Sequence, residues 1–223
     1  MTALFFIATI VFFLTLDWVV QRVKKGAGAP DAIAPQPVAR PDALRVPEGI
    51  FFARSHTWLN LFPSGKVRLG IDDFVGNLVE NPRIAFVRKI GDQVEKGDPL
   101  VVVEDGDRRI TIRSPLAGEV LAVNLDLEKS PQLMRESLFS EGWAYSIRPR
   151  RIEELRSMLI GEESRSWMSG ELGRLRDLLA GVGKLQPVPA ALQDGGFPAA
   201  GLLKRLDSGK LAEFEEQFLQ VRQ

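Results

Sequence analysis

His56 is the one histidine in 223 residues, and the chain has no cysteine. Those two counts remove most chemistry at once. No disulfide, thiol nucleophile, iron–sulfur cluster or cysteine-ligated zinc can form, and one histidine cannot build a multi-histidine metal centre. A serine–histidine–aspartate relay is conceivable, but no Gly-x-Ser-x-Gly elbow accompanies His56. Beside Trp58, in a stretch that reads as a half-buried strand, His56 is expected to be packed and hydrogen-bonded. The expectation is therefore no catalytic, metal-binding or cofactor-binding residue, and no enzyme.

The polar chemistry that remains gathers on one short stretch. Asp105 and Asp107 flank Gly106, and Arg108, Arg109 and Arg113 follow. The flanking pattern says what must position them. Leu100–Val103 is a continuous apolar run fit for a buried strand. Asp105-Gly106 offers the two positive-φ positions of a type I′ hairpin turn. Beyond it Ile110 and Ile112 alternate with Arg109, Thr111 and Arg113, the period of a half-buried strand. Ser114-Pro115 ends that strand, and Gly118–Val123 starts another. The hairpin is expected to project from the domain, with Asp105, Asp107, Arg108 and Arg109 as an interaction surface.

Further strands are expected at Phe51-Phe52, Thr57–Phe62 and Lys66–Ile71, the last two joined by Pro63-Ser64-Gly65. Asp72–Val79 reads as a short helix with Asp72 or Asp73 as N-cap. Trp143 and Tyr145 read as core.

Taken together, Gly91-Asp92-x-Val94-x-Lys96-Gly97-Asp98-x-Leu100, a hairpin, then Ser114-Pro115-x-x-Gly118-x-Val120 resembles the lipoyl/biotinyl carrier domains. His56-Thr57-Trp58, Gly70–Phe74, Ser130–Leu133 and Glu141-Gly142-Trp143 make residues 50–160 most similar to the glycine cleavage system H protein. The resemblance implies a barrel-sandwich hybrid, and a lysine at the hairpin tip that carries lipoic acid as an amide. Counting without a gap from Glu104 to Pro115 puts Asp107 at that position. No lysine occurs between Gly97 and Asn124. A carboxylate is not an amine nucleophile, so this site is expected not to be lipoylated. The Glu80–Arg83 and Arg88-Lys89 stretches also depart from the family pattern, which implies a rewritten docking surface.

Residues 2–20 are nearly all apolar. As a helix rising 1.5 Å per residue they would span about 28 Å, close to the hydrocarbon thickness. Arg22, Lys24 and Lys25 follow and no side-chain charge precedes, so the positive-inside rule places the bulk of the chain in the cytoplasm. Asp17 is expected at headgroup level beside Trp18. Residues 26–49, with five prolines between 30 and 47, read as an extended linker reaching roughly 70 Å if polyproline II throughout.

At the other end, Arg148–Gly161 carries Ile152, Leu155 and Leu159 at helical spacing. Residues 166–179, 199–206 and 210–221 read as amphipathic helices. The apolar residues of the last two, Leu203, Phe214 and Phe218 among them, exceed what isolated short helices can bury. The preferred reading is a partner-binding appendage.

The expected architecture is thus mainly β, lipoyl/H-protein-like, with one N-terminal transmembrane helix and a C-terminal α-helical extension. The divisions are 1–25 anchor, 26–49 linker, 50–161 β domain and 162–223 extension. With 29 basic and 29 acidic residues there is no field for nucleic acid. The expected function is a single-pass, inner-membrane, non-lipoylated H-protein-like adaptor whose partners are other membrane-bound subunits. The alternative is a working carrier using Lys89, Lys96 or Lys129.

Overall fold

Alternating β-branched and aromatic residues build two antiparallel sheets, because each strand must bury one face and solvate the other. The computed structural model describes residues 44–180 and 200–221. The expected anchor at 2–20 and most of the linker at 26–49 lie outside the described residues. Among those described, no helix is long and apolar enough to cross a membrane.

Strands β1 (Phe51–Ala53), β2 (Thr57–Leu61) and β3 (Val67–Ile71) form a meander, and Gly65 supplies the positive φ in its second turn. Helix α1 (Asp73–Leu78) follows, capped by Asp72, whose Oδ1 accepts from Val75 N at 3.2 Å. Then come β4 (Arg83–Phe86), β5 (Gln93–Val94), β6 (Pro99–Asp105), β7 (Arg108–Arg113) and β8 (Gly118–Val123). Short helices α2 (Leu125–Lys129) and α3 (Leu133–Glu136) lead to β9 (Trp143–Pro149), a 3-10 turn (Ile152–Ser157) and β10 (Leu159–Ile160). The larger sheet runs β10-β1-β2-β3-β9-β8-β5 and the smaller β4-β6-β7.

Phe52, Trp58, Leu69, Leu100, Ile110 and Ile112 are among the side chains buried in the core. Each such side chain contributes about 1.5–3 kcal/mol by leaving water. Tyr145, on β9, ties the larger sheet to the smaller one. Its hydroxyl donates to Leu100 O at 2.9 Å and accepts from Arg88 N at 3.0 Å. Burial pushes this phenol up to about 12.

Two expectations about elements need correction. The helix expected over Arg148–Gly161 is cut down to the 3-10 turn Ile152–Ser157, between the end of β9 and β10. Leu159 and Ile160 instead pair with Phe52 and Phe51, because β1 offers an unpaired ladder edge that helical apolar spacing cannot reveal. The hairpin turn is not type I′ either. Asp105 pairs with Arg108, so the two-residue loop is Gly106-Asp107, and only Gly106 has positive φ (+67°), the pattern of a type II′ turn.

The chain then forms α4 (Glu162–Ala180), α5 (Leu202–Arg205), α6 (Ser208–Phe214) and a π-helical turn (Glu215–Leu219). These do not stand apart as an appendage. Every described residue falls in one compact unit that begins at Asp42. Leu203, Phe214 and Phe218 are buried within the same core cluster as the β-sheet residues. The partner-binding reading of these three side chains is therefore corrected: the chain satisfies its own short helices by packing them on its β domain.

Candidate functional site

The β6–β7 hairpin separates its charged residues into two sets. Asp105 is 1% exposed. Its carboxylate accepts from Glu80 N at 2.9 Å and Asn81 N at 3.1 Å, so it closes the loop that follows α1. It is a structural acid, not part of a displayed surface. Asp107 is the opposite case. Its side chain is 79% exposed at the turn, with Arg108 Nη1 3.8 Å away. Arg109 is likewise displayed and bonds Glu104 Oε1 through Nη2 at 2.7 Å. Glu104, Asp107, Arg108 and Arg109 line one shallow open cleft around Gly106. Of the four hairpin residues singled out from the sequence, three share this cleft and Asp105 lies beneath it.

A lysine does approach the hairpin, from elsewhere in the chain. Lys204 of α5 places Nζ 2.8 Å from Glu80 Oε2 and 3.2 Å from Asp105 Oδ1. Its hydrogen bond to Glu80, with further help from Asp105, pushes its pKa up. A protonated ammonium held between two carboxylates is a clasp rather than a nucleophile. Glu215 adds a second tie, accepting from Thr111 N on β7 at 2.8 Å.

The other polar centre surrounds His56. Its position differs from the expected strand: it closes the turn after β1 at φ +60°, with its N–H donating to Ala53 O at 3.0 Å. No other described residue except glycine has positive φ. The imidazole is fully buried, with Nδ1 2.8 Å from Asp72 Oδ2 and Nε2 3.7 Å from Glu171 Oε2. Phe74 stacks on one side at 4.1 Å and Trp167 at 5.0 Å. Burial alone would lower the His56 pKa, but the Asp72 carboxylate and then Glu171 outweigh it, and the net direction is up. Burial likewise raises Glu171, but His56 and Arg174 outweigh that and hold it below its ordinary range.

The charge chain continues outward. Arg174 donates from Nη1 to both oxygens of Glu171 at 2.8 Å and from Nη2 to Gln217 O at 3.0 Å, with its guanidinium over the Phe218 ring. Asp72, His56, Glu171, Arg174 and the C-terminal turn thus form one connected line. The sequence carried a signal for Glu171. It interrupts the stripe Met168, Leu175, Leu178 at helical spacing, and a carboxylate on an apolar stripe needs a buried cation. With solvent excluded from His56, this centre can hold charge but cannot meet a substrate.

Among the described residues no group of three or more histidine, cysteine, aspartate or glutamate residues is arranged to hold a metal ion. The sequence profile of the family described as glycine cleavage H-protein matches residues 50–170. The chain is 32% identical over 120 residues to a glycine cleavage system H protein of Thermus thermophilus, covering 53% of this chain and 92% of that one. It is 33% identical over 118 residues to its counterpart from a Psychrobacter species, covering 53% and 94%. A crystal structure of such an H protein from Mycobacterium marinum superimposes with a TM-score of 0.49 and 21% identity, over 57% of this chain and 99% of that one.

Proposed function

Because the chain belongs to the glycine cleavage H-protein family, we propose that it reuses that family's carrier shape as a non-lipoylated adaptor. In this reading it is a subunit of a larger, membrane-bound complex and performs no catalysis of its own. The observation that carries the reading is Asp107. It stands exposed at the hairpin turn, where gapless counting places the family's lysine. A carboxylate has no amine to acylate.

The rest of the chain supports the same direction. Lys204 is protonated and held by Glu80 and Asp105, so it does not offer a free amine beside the turn in place of the missing one. Glu104, Asp107, Arg108 and Arg109 would form the face offered to another protein subunit. Residues 2–20 would anchor the chain in the inner membrane, and Arg22, Lys24 and Lys25 would keep the folded domain on the cytoplasmic side.

Native mass spectrometry of the protein extracted from its own membranes in mild detergent tests this. The expected result is the plain polypeptide mass together with co-purifying membrane proteins. A lipoyl-sized adduct would overturn the reading and restore a working carrier. An unmodified, solitary chain would remove the adaptor role.

A further inference from the structure

The left-handed residue His56 ends the turn Ala53–His56, and that turn forms one wall of a cavity of about 240 Å³. Strained backbone at a non-glycine residue persists where surrounding structure holds it, and here the Asp72 hydrogen bond and two stacked rings do so. The turn presents Arg54 and Ser55 to the cavity. Lys96, from the loop between β5 and β6, and Ser157 complete its polar lining, over apolar surface from Pro115 and Met158.

Three features of this lining point the same way. None of its residues is acidic. Arg54 and Lys96 are exposed and have no hydrogen bond or ion pair among the described residues, whereas most other described cations have partners. The neighbouring carboxylates are already engaged: Glu95 holds Arg150 at 2.7 Å and Glu154 holds Arg151 at 3.0 Å.

We propose that this cavity binds a small oxyanion-bearing molecule, a carboxylate or a phosphate. Arg54 and Lys96 would supply the charge, and Pro115 and Met158 contact for a short apolar part. The volume lies below the roughly 300–1,000 Å³ of drug-sized pockets, so the ligand is metabolite-sized. The site does not depend on the adaptor reading, because it lies away from the hairpin turn and involves no lipoyl chemistry.

The test is an amide NMR titration of the full isotope-labelled chain in detergent micelles, at constant ionic strength. Inorganic phosphate and acetate are the two probes, and chloride is the control. The expected result is saturable shifts at Arg54, Ser55, Lys96 and Ser157. The R54Q/K96Q variant should weaken binding about tenfold or more. The K89Q/R156Q variant, which removes the same charge elsewhere, should leave it unchanged. Saturation by phosphate alone assigns a phosphate ligand, and by acetate alone a carboxylate. Unsaturated, linear shifts, or equal losses in both variants, would mean general charge screening and overturn the proposal.

Discussion

His56 Nδ1 and Asp72 Oδ2 lie 2.8 Å apart with both side chains fully buried. Asp72 is also the N-cap of α1. One carboxylate therefore starts a helix, holds a left-handed histidine and anchors a charge chain that ends at the C-terminal turn. The consequences can be measured.

Stability should depend on pH in a window set by two groups. The folded pKa of His56 lies above its ordinary 6.5, so its contribution is fully present below pH 6.5 and is lost as pH rises through the folded value. The folded pKa of Glu171 lies below its ordinary 4.5, so its contribution is present above pH 4.5 and is lost as pH falls through the folded value. Urea midpoints recorded from pH 3 to 9 should show both limbs. His56→Gln should flatten the alkaline limb.

Glu171→Gln removes the carboxylate facing His56 and one partner of Arg174. The expected loss is about 1–3 kcal/mol, seen as a Tm lowered by several degrees. Amide hydrogen exchange should quicken across Leu202–Leu219, because Arg174, which donates to Gln217 O through Nη2, loses the carboxylate that fixes its guanidinium. An unchanged exchange pattern there would separate the C-terminal turn from the His56 line.

Phe218→Ala should be the more damaging change. Phe218 stacks on Phe74 and Phe214 and lies under Arg174. Truncating a buried phenylalanine costs about 3–5 kcal/mol. Denaturant unfolding would detect this directly, and a near-neutral result would contradict the self-packed C-terminal segment.

The two hairpin aspartates should separate cleanly. Asp105→Ala orphans the N–H groups of Glu80 and Asn81 and should cost about 1–3 kcal/mol. Asp107→Ala should stay within about 0.5 kcal/mol of the unaltered chain. Equal effects would deny the division between a buried structural acid and a displayed one.

Asp107→Lys places an amine at the turn with little effect on folding. Incubated with lipoate, ATP and a lipoate ligase, this variant should gain one lipoyl group by intact mass, while the unaltered chain gains none. Modification of the unaltered chain would place lipoate on another lysine.

Much of the β domain is legible in the sequence because its signals are local. Ile110 and Ile112 alternate with arginine and threonine, Asp72 precedes a helix, and Gly65 and Gly106 mark turns. Pairing partners are not local. Nothing near Leu159 says that β1 needs a strand there, so its helical spacing points to a helix that stops short at Ser157. The same limit hides the clasp: Lys204, Glu215 and Gln217 meet atoms far away in the chain. Asp105 misleads for a different reason. Aspartate beside glycine signals a turn whether its carboxylate faces solvent or two backbone donors.

The pairing of β1 with β10 also fixes an order of events during synthesis. The first strand of the domain waits for residues 159–160 before its outer edge is satisfied. His56 and Asp72 then wait for Glu171, and Glu171's arginine for Gln217. The β6–β7 hairpin, whose contacts are near in sequence, can form early. A ribosome stalled before the last turn would therefore hold a nascent chain with its hairpin made and its buried charges uncovered.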